Sequence, residues 1–528
     1  MMTEKFEMVA KTFKGLEGVL ADELRALGAE DVTEGIRMVA FNGDKEMLYK
    51  ANFCLRTALR VLKPIYKFRS TDADDLYEQI KLFDWEQVLS VDKTFAIDAT
   101  TFGEEFSHSR FVTYRVKDAI VDYFNERYEK RPSIRVSNPD IRLDVHIAGN
   151  EVTLSLDSSG EPLYKRGWRE AQTDAPINEV LAAGIIKLSG WDGDSNFVDP
   201  MCGSGTFLVE AALIAANINP GVYRKGFAFQ QWPDYDEELF DSIYNDDSGE
   251  REFKHKIYGS DINGKAIAIS RANVKSAGVS KMVELELKAV EDITEAPAGG
   301  GVLVTNPPYG ERLQVGNMEE LYATLGDKFK HVFKGFNVWV IGYDRQHLDT
   351  IGLRPSLRYA LYNGALDCEL REYVIFDGKY NDMRERGESI KNESFRSSED
   401  RRTMQRREFR ETFSRDDRPA RDDRPRREFS DRPRRDDRRG DDRRRDDRRA
   451  GGERRFGDRP RRDDRPRGER KDERRGGFSR FRGPQLGADK EVTIVRGRRK
   501  SWMRREVNET DVRTGNANDN ANDNENKD

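Results

Sequence analysis

Asn306-Pro307-Pro308-Tyr309-Gly310-Glu311-Arg312-Leu313 follows directly on the apolar run Val302-Leu303-Val304-Thr305. The run reads as a buried parallel strand that stops at an abrupt loop. Two successive prolines fix φ and remove two backbone donors, so the carbonyls here are held in place and no helix can start. Asn306 offers a side-chain carbonyl, Pro307 a fixed main-chain carbonyl, and Tyr309 a flat aromatic face. That set suits a planar base carrying an exocyclic amine: two acceptors for its N–H groups and a ring to stack on. Pro-Pro-Tyr alone is an ordinary proline-rich turn. The preceding Asn, the strand end and a glycine-rich loop some hundred residues upstream set this one apart.

Outward from this stretch, strands alternate with helices. Residues 196–199 read as a strand entering Asp199-Pro200-Met201-Cys202-Gly203-Ser204-Gly205-Thr206, with an apolar helix over 207–216. Residues 256–261 give the next strand, ending in Asp261-Ile262-Asn263, and a helix carrying Ala266, Ile269, Ala272 and Val274 follows. Further strands are predicted at 283–287 and 338–343, and 357–362 with 369–376 form a hairpin through Asn363-Gly364. The pattern predicts an α/β fold over residues 161–380: a doubly wound, Rossmann-like sheet with a terminal antiparallel hairpin.

Gly203 and Gly205 let the backbone approach a ligand closely at a strand–loop–helix corner. The corner is not a dinucleotide fingerprint, because Leu208 occupies the third glycine position, and no Lys-Ser/Thr pair closes a phosphate-cradling loop. A ligand without a pyrophosphate, such as S-adenosylmethionine, fits better. Asp261, ending the second strand, can accept both ribose hydroxyls. After the third strand, Asp292 or Glu291 can accept from the adenine amine, and either is equally readable as a solvated loop acid. Transfer of a methyl group to a ring amine requires that a delocalised lone pair be localised and aligned. The loop of Asn306, Pro307, Pro308 and Tyr309 does this by holding both amine hydrogens and stacking a flipped base, with no His or Cys base needed.

The front of the chain is α+β. Residues 1–70 alternate strand-like runs with a helical pattern from Leu16 to Leu27 closed by Gly28, and a second helix is predicted to hold Tyr49, Phe53 and residues 55–62. Residues 71–160 form another unit, with helices over 76–83 and 114–128, a strand at 94–100, and a hairpin around Gly149-Asn150. Ser107-His108-Ser109-Arg110, beside Arg115 and Lys117 at a helix start, reads as a phosphate-binding patch or as a solvated face.

Charge is divided unevenly. Residues 1–400 carry 49 Lys and Arg against 67 Asp and Glu, whereas residues 401–500 carry 39 against 23. An acidic body therefore bears a basic tail, and any polyanion site on the body must be local. From residue 381 onward the apolar periodicity stops, and Arg-Arg-Asp-Asp, Asp-Arg-Pro and Arg-Gly units recur with sparse phenylalanines. This tail (381–528) is predicted to be disordered, as a loose RNA contact or a solubilising spacer. Three cysteines, too scattered for a framework, exclude a disulfide scaffold, and neither they nor the five histidines show metal-ligand spacing. No apolar run approaches the length of a membrane span and no secretory leader is readable, so a reducing cytoplasm is expected.

The chain resembles the RlmL-type guanine-N2 methyltransferases of 23S ribosomal RNA over roughly residues 3–377. The resemblance rests on Arg166-Gly167-Trp168-Arg169, Ala175-Pro176-Ile177-Asn178-Glu179, Asp199 to Gly205, Gly259-Ser260-Asp261, Asn306 to Leu313 and Asn363-Gly364-Ala365-Leu366-Asp367-Cys368. It implies a ferredoxin-like region (1–70), a THUMP RNA-binding domain (71–160) and a class I methyltransferase domain (161–380). It further implies S-adenosylmethionine held by Pro176, Asn178, Asp199, Gly203, Gly205, Asp261 and Asp292, no metal, and RNA held by Arg110, Arg115, Lys117 and Arg166. The RNA would be 23S rRNA or a large-subunit assembly intermediate. Two departures stand out: Ala289 replaces the family's usual Asp, and the tail stands where some relatives carry a second methyltransferase domain. An adenine-N6 methyltransferase and an RNA-binding assembly factor are the competing readings.

Overall fold

A computed structural model describes residues 4–308, 315–364 and 366–375. Tyr309 and the predicted disordered tail lie outside them. The front of the chain runs β1 (Phe6–Lys11), α1 (Glu17–Ala26), β2 (Glu30–Glu34), β3 (Met38–Gly43), α2 (Lys45–Cys54) and β4 (Arg60–Arg69). It continues through α3 (Ala73–Leu82), β5 (Thr94–Phe102), α4 (Ser109–Tyr128), β6 (Ser133–Ile134), β7 (Ile141–Ala148) and β8 (Glu151–Asp157). Gly28 closes α1 as expected: at φ +89 it donates to the Arg25 carbonyl while Ala29 donates to Leu24.

The sequence expectation for the second helix is corrected here. The helix ends at Cys54, Leu55 turns extended, and Arg60–Arg69 is a strand. Apolar spacing over residues 55–62 suits either element, and what decides is pairing. β4 lies between β1 and β8, antiparallel to both, with a bulge just after Pro64, which has no N–H for the ladder. That strand joins both front units in one eight-stranded sheet of order β2-β3-β1-β4-β8-β7-β5-β6.

The second half runs α5 (Glu179–Leu188), β9 (Asn196–Asp199), α6 (Thr206–Ala215), α7 (Glu237–Tyr244), β10 (Ile257–Asp261), α8 (Gly264–Ser276), β11 (Val283–Leu287) and β12 (Gly301–Thr305). α9 (Val315–His331), β13 (Phe336–Gly342), α10 (Arg345–Thr350), β14 (Leu357–Asn363) and β15 (Leu366–Val374) complete it. The seven strands order as β11-β10-β9-β12-β13-β15-β14, parallel through β13 and antiparallel at the terminal hairpin. The chain leaves β9 toward β10 on one side, while β12 flanks it on the other. This switch point opens a crevice beyond the strands' carboxyl ends. Alternation along β12 assigns two cores: Val302 and Val304 join that of α5, α6 and α8, and Leu303 joins that of α9 and α10.

The front module packs directly on the helical elements of the second half. Leu16 lies so close to Gly184 of α5 that a Cβ there would come within 2.5 Å of its Cδ1. Tyr49 and Phe53 of α2 join Phe229, Phe240 and Tyr244 in an aromatic cluster, with Tyr49 and Phe229 stacked at 4.4 Å. Burying each such ring contributes roughly 1.5–3 kcal/mol.

Candidate functional site

β9 is buried along its whole length and delivers Asp199 to the floor of the crevice. The Asp199 Oδ1 accepts from the Met201 amide at 3.2 Å and from the Thr305 hydroxyl at 3.0 Å, which ties the end of β9 to the end of β12. Burial pushes this carboxyl up to about 7, against the two hydrogen bonds that favour its charged form; the nearby Asp261 adds to the rise.

The loop after β9 is held almost entirely by neighbours distant in sequence. Cys202 N–H donates to the Ser260 carbonyl at 2.9 Å, the Ser270 hydroxyl donates to the Gly203 carbonyl at 2.8 Å, and Asn273 Nδ2 donates to the Ser204 carbonyl at 2.9 Å. Asn273 is fully buried, and its Oδ1 also accepts from the Glu170 and Ala171 amides. Arg169 adds a fork, bonding the Glu179 carboxylate, the Ser204 hydroxyl and the Thr206 hydroxyl at 2.7, 3.1 and 2.8 Å. Gly203 takes φ +54 and its N–H donates to Asp261 Oδ2 at 3.0 Å, while Asp261 Oδ1 accepts from Asn263 N–H at 2.8 Å.

These elements enclose a cleft of about 730 Å³. Pro176, Asp199, Gly203, Asp261, Asn306, Pro307 and Pro308 line it, so the structure brings these expected residues together. An added Cβ at Gly203 would find nothing nearer than the Thr173 hydroxyl at 4.0 Å, so the loop leaves an open cradle along the cleft. A nucleoside-bearing ligand such as S-adenosylmethionine fits this volume, with the acid at the end of β10 available to its hydroxyls.

Asn306 gives the most pointed observation. Its Oδ1 is buried and has no hydrogen-bond partner among the described residues. A buried, unsatisfied acceptor costs about 1–3 kcal/mol, so this one stands ready for a donor brought in by a ligand.

Several expected residues are not where sequence reasoning put them. Gly205 is absent from the cleft lining: at φ +77 it caps α6, where a Cβ would come within 2.9 Å of the Ser270 hydroxyl, so it serves close packing against α8. Asn178 caps α5 by accepting from Val180 N–H. Of the two acids after β11, Glu291 lines the cleft and Asp292 does not, because the 3-10 turn Val290–Asp292 presents Val290 and Glu291 to it. Arg166 is not an RNA contact. It is 2% exposed, ion-paired to the fully buried Glu210 at 3.3 Å, and donates to the Leu163 and Arg56 carbonyls. Arg115 is largely engaged, bonding the Ala73 carbonyl and Asp74 and lying over the Tyr77 ring; Lys117 pairs with Asp118, and Arg110 is exposed.

Sequence reasoning also missed Thr173, Phe207 and Ile262, and the α9 residues Glu320, Leu321 and Thr324. The helical spacing of Met318, Tyr322, Leu325 and Phe329 could have found α9, since these form its buried face. Among the described residues, no group of three or more His, Cys, Asp or Glu could hold a metal ion, and no helix is long and apolar enough to cross a membrane.

Comparison with known proteins agrees with this geometry. Residues 166–372 match the model of the RMKL-like methyltransferase domain, residues 70–157 the THUMP domain, and residues 7–62 the RlmL ferredoxin-like domain. A Synechocystis protein named as an RNA methyltransferase is 39% identical over 370 residues, covering 70% of this chain and 96% of the relative. The ribosomal RNA large subunit methyltransferase K/L of Syntrophotalea carbinolica is 41% identical over 391 residues, 72% of this chain and 55% of the relative. The chain thus spans about half the length of the K/L relatives it matches. A methyltransferase crystallised with SAH superimposes with a TM-score of 0.64 at 31% identity, covering 72% of this chain and all of that one.

Proposed function

The chain belongs to the RlmL-type family of S-adenosylmethionine-dependent methyltransferases, and we propose that its acceptor is the exocyclic N2 of a guanine in 23S ribosomal RNA. The observation that carries this reading is the orphaned Asn306 Oδ1, a buried acceptor beside Pro307 and Pro308 on the wall of the cofactor cleft. A ring amine brings a donor to that position.

When bound, S-adenosylmethionine supplies a methyl carbon on a sulfonium, so transfer forms a nitrogen–carbon bond as carbon–sulfur breaks, and the amine releases one proton. Gly203, Asp261 and Pro176 line the part of the cleft suited to hold it. Asn306 acts on the acceptor: by taking an N–H bond it draws the nitrogen's lone pair out of conjugation and aims it. The Thr305 hydroxyl, tied to Asp199, fixes where Asn306 begins and registers both halves of the cleft. Burial of Val302, Leu303 and Val304 keeps this strand end rigid.

The front module is assigned the holding of structured RNA. Arg110, with the exposed rings of Phe111 and Tyr114 beside it on α4, presents charge and stacking surface together. Such an enzyme works in the cytoplasm, where its substrate is 23S rRNA or a large-subunit assembly intermediate.

The test is mass spectrometry of nucleosides from rRNA incubated with the protein and labelled S-adenosylmethionine, with Asn306→Ala alongside. Labelled N2-methylguanosine that vanishes in the variant is the expected result. Labelled N6-methyladenosine would transfer the mechanism to the other base, and absence of label with cofactor binding intact would overturn it.

A further inference from the structure

Resting on the guanine reading above, a further residue follows from what a guanine must satisfy inside this cleft. The N2 amine adjoins N1–H on the same edge of the ring, so a base buried far enough to present N2 to Asn306 also buries the N1–H donor. An unmet donor there would cost much of the binding energy, so the site needs an acceptor beside Asn306.

Four acids line the cleft: Asp199, Asp261, Glu291 and Glu320. The first has an oxygen committed to Met201 and Thr305, and the second, already bonded to Gly203 and Asn263, keeps its remaining lone pairs for the cofactor's hydroxyls. Glu291 follows β11, at the far edge of the sheet, three strands away from β12 in the order. Glu320 differs in each respect. It stands on α9, the helix that follows the Asn306 loop, and α9 packs against the sheet face opposite that of α6 and α8. Its neighbour Leu321 and, one helical turn along, Thr324 line the cleft with it. Glu320 is exposed, lines the cleft and makes no hydrogen bond or ion pair with the described residues.

We propose that the Glu320 carboxylate is the specificity-determining group that reads the target base, by accepting the N1–H hydrogen bond of guanine while Asn306 holds the N2 amine. A carboxylate is an acceptor only, so it discriminates by repulsion as well as attraction. Adenine places an unprotonated N1 beside its amine, and two lone pairs would then face each other. Glu320 therefore selects guanine over adenine in a cleft whose Asn-Pro-Pro loop by itself suits either amine.

The experiment uses the full chain with the position of N2-methylguanosine first mapped in the wild-type reaction. RNA fragments carrying guanine or 2-aminopurine at that position are compared; 2-aminopurine keeps the N2 amine but has no N1–H. Wild type should favour guanine. Glu320→Gln should lower kcat/KM on guanine by roughly 10–100-fold, the usual loss for a charge-assisted hydrogen bond. It should lose far less on 2-aminopurine, because the amide can donate to the bare N1. The preference should thus narrow at least tenfold while calorimetry shows unchanged cofactor affinity. Glu320→Gln and Glu320→Ala retaining guanine activity within threefold would overturn the assignment, as would equal losses on both bases. Failure of the wild type to make N2-methylguanosine at all would instead overturn the guanine reading itself, and this assignment with it.

Discussion

The acids of the front module and those at the crevice of the catalytic sheet are held in different ways. In the front module, cations and acids answer each other across the fold: Lys11 with Asp144, Arg60 with Asp157, Lys81 with Glu126, Arg115 with Asp74, Arg142 with Asp98. In the catalytic sheet the acids at the strand ends are held by N–H and O–H donors of the loops, and Asn306 is left with an open acceptor. Charge on a surface sheet finds partners because strands and helices lie side by side, whereas strand ends at a switch point face a crevice. An arginine count therefore overstates the RNA-facing surface of the front module. A strand-end carboxylate or amide is a better guide to chemistry.

The sharpest challenge to this contrast is Arg166, a catalytic-half cation that is buried and paired. Replacing Arg166 by Ala leaves Glu210 buried without its cation, and should destabilise the protein by about 3–5 kcal/mol, read as a lower Tm or denaturant midpoint. A small effect would mean that the pair is not the strut it looks like.

Next in size, Asn306→Ala should reduce kcat by roughly 10²–10³ with cofactor affinity unchanged in calorimetry. Loss of cofactor binding instead would place Asn306 on the cofactor side.

A smaller effect concerns pH. The Asp199 carboxyl, pushed up to about 7 by burial, is neutral below that pH and anionic above it. A cationic ligand favours the anion, so S-adenosylmethionine should bind more tightly as pH rises from 6 to 8, by about tenfold at most, and Asp199→Asn should flatten that dependence. The folded pKa lies above the ordinary carboxylate value of 3.8, so this group's contribution to stability falls as pH rises from about 4 to about 7. A flat binding profile in the wild type would mean that Asp199 does not meet the ligand's positive charge.

Smallest of all, Arg110→Ala should leave stability within about 0.5 kcal/mol while weakening RNA binding a few-fold and lowering the salt slope by about 1. Fluorescence anisotropy at several salt concentrations would read both, and an unchanged slope would remove Arg110 from the RNA contact.

Much of the catalytic half was legible from local pattern. The strand at Asn196–Asp199, the loop into α6, the strand ending at Asp261 and the Asn-Pro-Pro loop all lie where their residues predicted. Short apolar runs, glycines and prolines act within a few residues, so their consequences stay close to them in sequence. Gly205 and Asn178 look like ligand contacts in the sequence because the same residue types also serve tight packing and helix capping. Only the position of Ser270 against Gly205, and the bond from Val180 to Asn178, tells the uses apart.

The sequence by itself determined the doubly wound alternation, the place of the Asn-Pro-Pro loop at a strand end and the exclusion of dinucleotide and phosphate-cradling loops, since each depends on residue type and short spacing. Tertiary structure alone decided that Arg60–Arg69 is a strand, that Arg166 is buried, that Glu291 rather than Asp292 lines the cleft, and that Glu320 joins it. β4 needs β1 and β8 as partners, and Arg166 needs a glutamate 44 residues away. Local propensity fixes which elements can form; burial and pairing between distant segments fix which face each side chain meets.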